Sequence, residues 1–133
     1  MPNGPARAEF WKDFVSQRCE YPAPDRLRAQ LAEAMFSDFC ACGCNSFAVE
    51  VPTGVAPLTK ARENPSSGYG AIHTADFKMT DGRTLEVVLF ADDNGNLVYV
   101  EVDCCANSYP VPDDPDVEAT PFQTWTAKRL ILS

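Results

Sequence analysis

A single histidine, seven glycines and the absence of any long apolar run set the first limits on this 133-residue chain. No stretch approaches the ~20 consecutive apolar residues that span a bilayer. The first ten residues, Met1-Pro-Asn-Gly-Pro-Ala-Arg-Ala-Glu-Phe10, lack a basic segment followed by an apolar one, so no signal peptide is expected. The expectation is therefore a cytoplasmic protein in a reducing compartment. There is no glycine-rich phosphate loop, and neither Ser nor Cys stands in a nucleophile signature near His73, the lone histidine. No carboxylate pair is singled out as glycosidase-like. These absences argue against an enzyme. No repeat and no second domain are visible, and the length suits one domain, residues 1–133, with a real core.

Positive charge is also scarce. Eleven Lys and Arg face nineteen Asp and Glu, for a formal net charge of -8. That balance argues against nucleic acid as a partner and favours attraction to cations or basic proteins. The imbalance is local as well. Between Thr84 and Ala127 lie nine carboxylates and no Lys or Arg, and only Lys128 and Arg129 follow. A one-sided negative field of this kind speeds and orients the docking of basic proteins, although acidic surfaces often serve solubility alone.

What is present has clear periodicity. Phe10, Trp11, Phe14 and Val15 recur at helical spacing with polar residues between them, the mark of an amphipathic helix. Pro24-Asp25 opens a second helix, with Pro in the first turn and Asp near the positive end. Leu27, Leu31, Ala34 and Met35 share its apolar face, continued by Phe39. The period then becomes two. Phe47, Val49 and Val51 form a strand, residues 52–70 form a long loop rich in Pro, Gly, Ser and Asn, and strands are expected near 71–79, 83–91 and 97–104. The tail holds Pro110, Pro112, Pro115 and Pro121 and starts as irregular chain, with Thr120-Pro-Phe-Gln123 as a capping box for a short last helix. The fold expected is α+β, with two N-terminal helices packed on one face of a four-stranded antiparallel sheet.

Turn chemistry sets a register. A three-residue loop, Thr80-Asp81-Gly82, pairs Phe77 with Leu85 and Ala75 with Val87, whereas a two-residue loop would turn charge onto the apolar face. A four-residue loop from Asp92 to Gly95 would pair Leu85, Val87 and Leu89 with Val102, Val100 and Val98. The opposite face then carries Asp76, Glu86 and Glu101 in a row across three strands, with Tyr99, Phe90 and Val88 beside it. Like charges directly opposite one another are destabilising. Lys78, Arg83 and water are one offset; a basic protein partner or a cation is the other. Asp76, Glu86, Tyr99 and Glu101 are accordingly the candidate partner-binding residues.

Six cysteines are the remaining feature with chemistry in it: Cys19, the cluster Cys40, Cys42 and Cys44, and the vicinal pair Cys104 and Cys105. Zinc in a structural site takes four Cys or His ligands, often as two spaced pairs. Cys40, Cys42 and Cys44 could supply two or three, with Cys104, Cys105 or His73 completing the set. The one-residue gaps and the vicinal pair suit one ion poorly. Redox work needs an electropositive, exposed thiolate, and the surroundings are acidic. The plain alternative is that Cys40 and Cys104 are small buried apolar residues.

The stretch Cys40-Ala-Cys-Gly-Cys-Asn-Ser46, following two helices, resembles one in small uncharacterised bacterial proteins that often read Cys-x-Cys-Gly-Cys-Pro-Ser. These also tend to have an Asp/Gly turn, a strand like Leu97-Val-Tyr-Val-Glu-Val102 and a proline-rich tail like Pro110 to Pro115. Asn45 stands where Pro is usual. The resemblance implies bacterial origin and no assigned activity. The expectation is thus a non-enzymatic acidic interaction protein binding a basic partner, in the manner of immunity proteins; the alternative is a zinc-binding domain built on Cys40, Cys42 and Cys44.

Overall fold

Proline and an apolar stripe fix the first helix. In the computed structural model, which describes residues 3–41, 44–61, 69–104, 109–112 and 115–131, α1 runs Pro5–Arg18 with Pro in its first turn. Ala8, Trp11, Phe14 and Val15 fall on one stripe and are buried. Arg7 shares that burial. Its guanidinium lies 4.6 Å from the Phe10 ring centroid and 5.4 Å from that of Trp11, and Nη2 donates to the Pro112 carbonyl at 3.2 Å. At the other end Arg18 donates to the carbonyls of Val117, Glu118 and Ala119. Two arginines therefore bind the proline-rich tail to one helix.

The second helix, α2, spans Pro24–Glu33, with Asp25 in its first turn. It stops earlier than the apolar spacing predicts. Ala34 is already extended, and Met35–Ser37 forms a short strand, β1. Phe36 pairs with Val49 across the sheet and its ring meets Phe47 at 5.2 Å, while Met35 is 72% exposed. Strand pairing outweighs helical propensity over these few residues.

The sheet has six antiparallel strands rather than four. After β1 come β2 (Phe47–Glu50), β3 (Tyr69–Lys78), β4 (Thr84–Asp92), β5 (Leu97–Cys104) and β6 (Gln123–Thr126), in the spatial order β1-β2-β5-β4-β3-β6. Strands β2 to β5 match the four expected; the two borders are additional. β6 occupies the place where the capping box predicts a helix. Phe122 N–H donates to Asp76 O at 2.9 Å, and residues 123–126 then run along β3. Among the described residues a single 3-10 turn, Lys128–Leu130, follows. An unsatisfied edge of β3 captures the segment before a helix can form.

Both helices cover one face. Ala75, Phe77, Leu85, Val87, Leu89, Val100, Val102 and Cys104 point into one cluster with Trp11, Phe14, Leu27 and Leu31. Phe14 meets Phe77 edge-on at 5.0 Å. The β3–β4 register is the expected one, with Phe77 opposite Leu85 and Ala75 opposite Val87. Gly82, at φ +90, supplies the left-handed residue of that turn.

The β4–β5 register differs from expectation by two residues. Leu85, Val87 and Leu89 face Cys104, Val102 and Val100. A shift of two preserves the faces, so the core row survives. The cause lies in the turn. Asp92 N–H donates to Asn96 O, and Asp92 Oδ1 accepts from the N–H groups of both Asn94 and Asn96. The register slips between Phe90 and Ala91, which pair with Tyr99 and Leu97. Leu97, not Val98, therefore enters the core, and Val98 is only partly buried.

The described part of the expected long loop is pinned to its neighbours. The carbonyls of Ala56, Pro57 and Leu58 accept from Gln30, Arg26 and Tyr21, and Leu58 N–H donates to Gly95 O at 2.7 Å. Residues 62–68 of that loop lie outside the described residues. Among the described residues no helix is long and apolar enough to cross a membrane.

Candidate functional site

The face turned away from the helices carries the carboxylates. Alternation along β3, β4 and β5 sends Asp76, Glu86, Glu101 and Asp103 to this side, because their neighbours Ala75, Phe77, Leu85, Val87, Val100 and Val102 fill the core. Asp76 lies directly opposite Glu86, and Glu86 lies directly opposite Asp103. Glu101 sits one pair along, opposite Val88. The row is thus Asp76, Glu86, Asp103, with Glu101 beside it. The two-residue register shift replaced the expected third member and brought in Asp103, which the sequence reading missed. The alternation of Glu101 with Asp103 on one strand was the available signal.

These carboxyls are crowded and half-removed from water. Asp103 is 4% exposed and the others are partly buried. Asp76 Oδ1 is buried with no hydrogen-bond donor among the described residues. Burial first, then the charges of Asp76 and Asp103, push the Glu86 carboxyl up to about 7, helped by a hydrogen bond to Asp76 and by the charge of Glu101. Glu101 is raised too, by burial first and then by the charge of Asp103 and a hydrogen bond to it. Protonation of Glu86 relieves part of this crowding, so its carboxyl keeps a proton to higher pH than an exposed glutamate does.

Two cations flank the β3–β4 turn. Arg83 pairs with Asp81 at 2.7 Å, and its guanidinium lies 5.1 Å from the Tyr109 ring centroid. Lys78 Nζ reaches Gly82 O at 3.4 Å and the Phe122 ring at 5.5 Å. Lys78 makes no ion pair with the four carboxyls among the described residues. Around the acids stand aromatic groups. Tyr99 pairs with Phe90, ring to ring at 6.0 Å, and Trp125, half exposed, pairs with Thr74, which lies opposite Val88. Asp76, Glu86, Tyr99 and Glu101, the residues singled out from sequence, therefore share one side of the sheet.

The cysteines do not converge in the same way. Cys40 is in a disulfide, whereas Cys19, Cys44 and Cys104 are buried thiols. Of the expected zinc ligands, Cys42 and Cys105 lie outside the described residues. A disulfide sulfur is not a thiolate and binds zinc poorly. No group of three or more His, Cys, Asp or Glu disposed to hold a metal occurs among the described residues, the four carboxyls included. Cys104 occupies the core row, opposite Leu85, with Sγ 3.6 Å from Met79 Sδ. The Cys19 thiol is pushed up to about 12 by burial, so it stays protonated and inert.

His73 is a fully satisfied structural residue. It is 1% exposed, its Nε2–H donates to the Cys19 carbonyl at 2.6 Å, and Nδ1 accepts from Thr126 Oγ1 at 2.8 Å. Tyr21 meets its ring edge-on at 5.4 Å. Two good partners fix one neutral tautomer, and no open position is left for base chemistry. No protein-family model, no curated protein and no solved structure matches this chain.

Proposed function

We propose that this chain is a non-enzymatic protein-binding module whose open sheet face receives a cationic segment of a partner protein. The observation that carries the reading is the row Asp76, Glu86, Asp103 with Glu101 beside it, four carboxyls crowded on one side of the sheet and partly or fully buried. Crowded carboxyls cost stability in the isolated protein, and Lys or Arg side chains laid over them would relieve that cost. The Phe90 and Tyr99 pair and the half-exposed Trp125 offer the flat apolar contacts on which such side chains stack. The net charge of -8 would steer a basic partner from a distance. Neutralisation of a basic toxin, as immunity proteins do, is the role this size and charge fit, by analogy alone.

The experiment is a titration of isotope-labelled protein with a lysine-rich peptide, followed by backbone amide shifts at low and high salt. Shifts confined to the open side of β3, β4 and β5, fading at high salt, are expected. Shifts on the helical side, or none at low salt, would remove the proposal.

A further inference from the structure

At one end of the open face the sign of the charge reverses. An open groove of about 960 Å³ lies beside β6, lined by Ala71, Trp125, Lys128 and Arg129 among others. Ala71 pairs with Phe90 and Trp125 pairs with Thr74, so the groove continues the surface that holds the carboxylates. Lys128 and Arg129 are exposed and make no ion pair among the described residues. They are also the only basic residues after Arg83 in the sequence. One continuous surface thus offers three partly exposed carboxyls with Asp103 buried among them, then an aromatic ring, then two cations.

Granting the docking role of the open face, we infer that its partner segment is bipolar: an extended stretch with Lys or Arg over the carboxylates and an acidic group in the groove. Charge complementarity gives the order, and strand geometry gives the spacing. Asp76 and Ala71 face Glu86 and Phe90, four positions apart on β4, the extra residue of β3 being taken up by the bulge between Ala71 and His73, and four positions at ~3.3 Å per residue are roughly 13 Å, or about four residues of extended partner chain. The acidic group is recognised only as part of such a segment. An isolated anion meets a molecule of net charge -8 and is repelled before it reaches two exposed cations.

The test uses three synthetic peptides: one with four lysines, one with the same lysines followed about four residues on by two aspartates, and one with the aspartates alone. Quenching of tryptophan fluorescence by acrylamide reads the groove directly. The chain has two tryptophans, and Trp11 is fully buried whereas Trp125 is 50% exposed. The bipolar peptide is expected to bind roughly tenfold more tightly than the lysine peptide, the effect of two partly exposed ion pairs, and to shield Trp125. Lys128→Ala with Arg129→Ala should erase that gain without weakening binding of the lysine peptide, which the more negative chain attracts at least as strongly. If the lysine peptide binds and the aspartates add nothing, the bipolar segment is refuted while the docking face stands. If neither lysine peptide binds, both fall. Binding of the aspartate peptide as tight as that of the bipolar one would also overturn the coupling.

Discussion

Glu86 and Asp76 lie directly opposite each other across adjacent strands, and the Glu86 carboxyl is pushed up to about 7, by burial first and by the charge of Asp76 next. This makes the native state bind protons more tightly than the unfolded chain does. The sign follows from linkage: a carboxyl raised from 4.5 to about 7 on folding holds its stabilisation below the unfolded value and loses it as pH rises through the native one. Stability should therefore decline between about pH 4.5 and 7 on account of this group. Glu86→Gln keeps the shape and removes the titration. It should raise the melting temperature at pH 8 by about 2–4 °C, allowing for partial solvent screening, and change it little at pH 5. Equal effects at both pH values would show that the crowding is not electrostatic.

His73 gives the opposite limb. Burial lowers its pKa from 6.5, with the Cys19 carbonyl and Glu20 opposing the shift. The unfolded chain thus takes up a proton first, and stability is lost as pH falls below about 6.5. His73→Phe should flatten this acid limb while leaving the Cys19 carbonyl and Thr126 hydroxyl without their partner, at a cost of about 1–3 kcal/mol at pH 7. Urea unfolding from pH 5 to 8 would read both effects. An unchanged acid limb in the variant would show that another group sets it.

Gly95 and Gly82 separate strain from collision. Both sit at positive φ, +85 and +90. A Cβ on Gly82 meets nothing within 4 Å, but on Gly95 it would lie 2.2 Å from the Thr59 carbonyl oxygen. Gly82→Ala should cost about 1 kcal/mol from the left-handed backbone alone. Gly95→Ala should cost roughly 2–4 kcal/mol and loosen residues 56–59 from the hairpin. Denaturant midpoints measured side by side decide this, and similar costs would mean that the 51–61 loop shifts easily.

The disulfide at Cys40 bears on the metal question. Alkylation of the unfolded, unreduced protein should leave two of the six cysteines unlabelled until a reductant is added. Protein purified without chelator should carry well under one zinc per chain, and a chelator should not change its melting. Stoichiometric zinc with six reactive thiols would restore the Cys40, Cys42 and Cys44 site.

The legible parts of the fold were those fixed by local chemistry. Asp81-Gly82 in a three-residue turn set the β3–β4 register, and alternation placed Asp76, Glu86 and Glu101 on one side. What escaped depends on distant partners. Met35–Ser37 and Gln123–Thr126 are strands because β2 and β3 offer open edges, and nothing within those segments announces it. Asp103 joined the carboxylates because Asp92 tightens its turn through two backbone N–H groups and displaces β5 by two residues. The groove at Lys128 and Arg129 followed from β6 and was equally hidden.

The sheet order also bears on synthesis. Phe47 and Val100 are 53 positions apart, as are His73 and Thr126, so β2 and β6 each join the β3–β4–β5 meander only after a long closure of equal length. The β3–β4–β5 meander can assemble from neighbouring hairpins as it leaves the ribosome. Until residues near 126 emerge, the outer backbone of β3 stays unpaired. That bare ribbon is where a nascent chain of this kind would recruit a chaperone or stick to its neighbours.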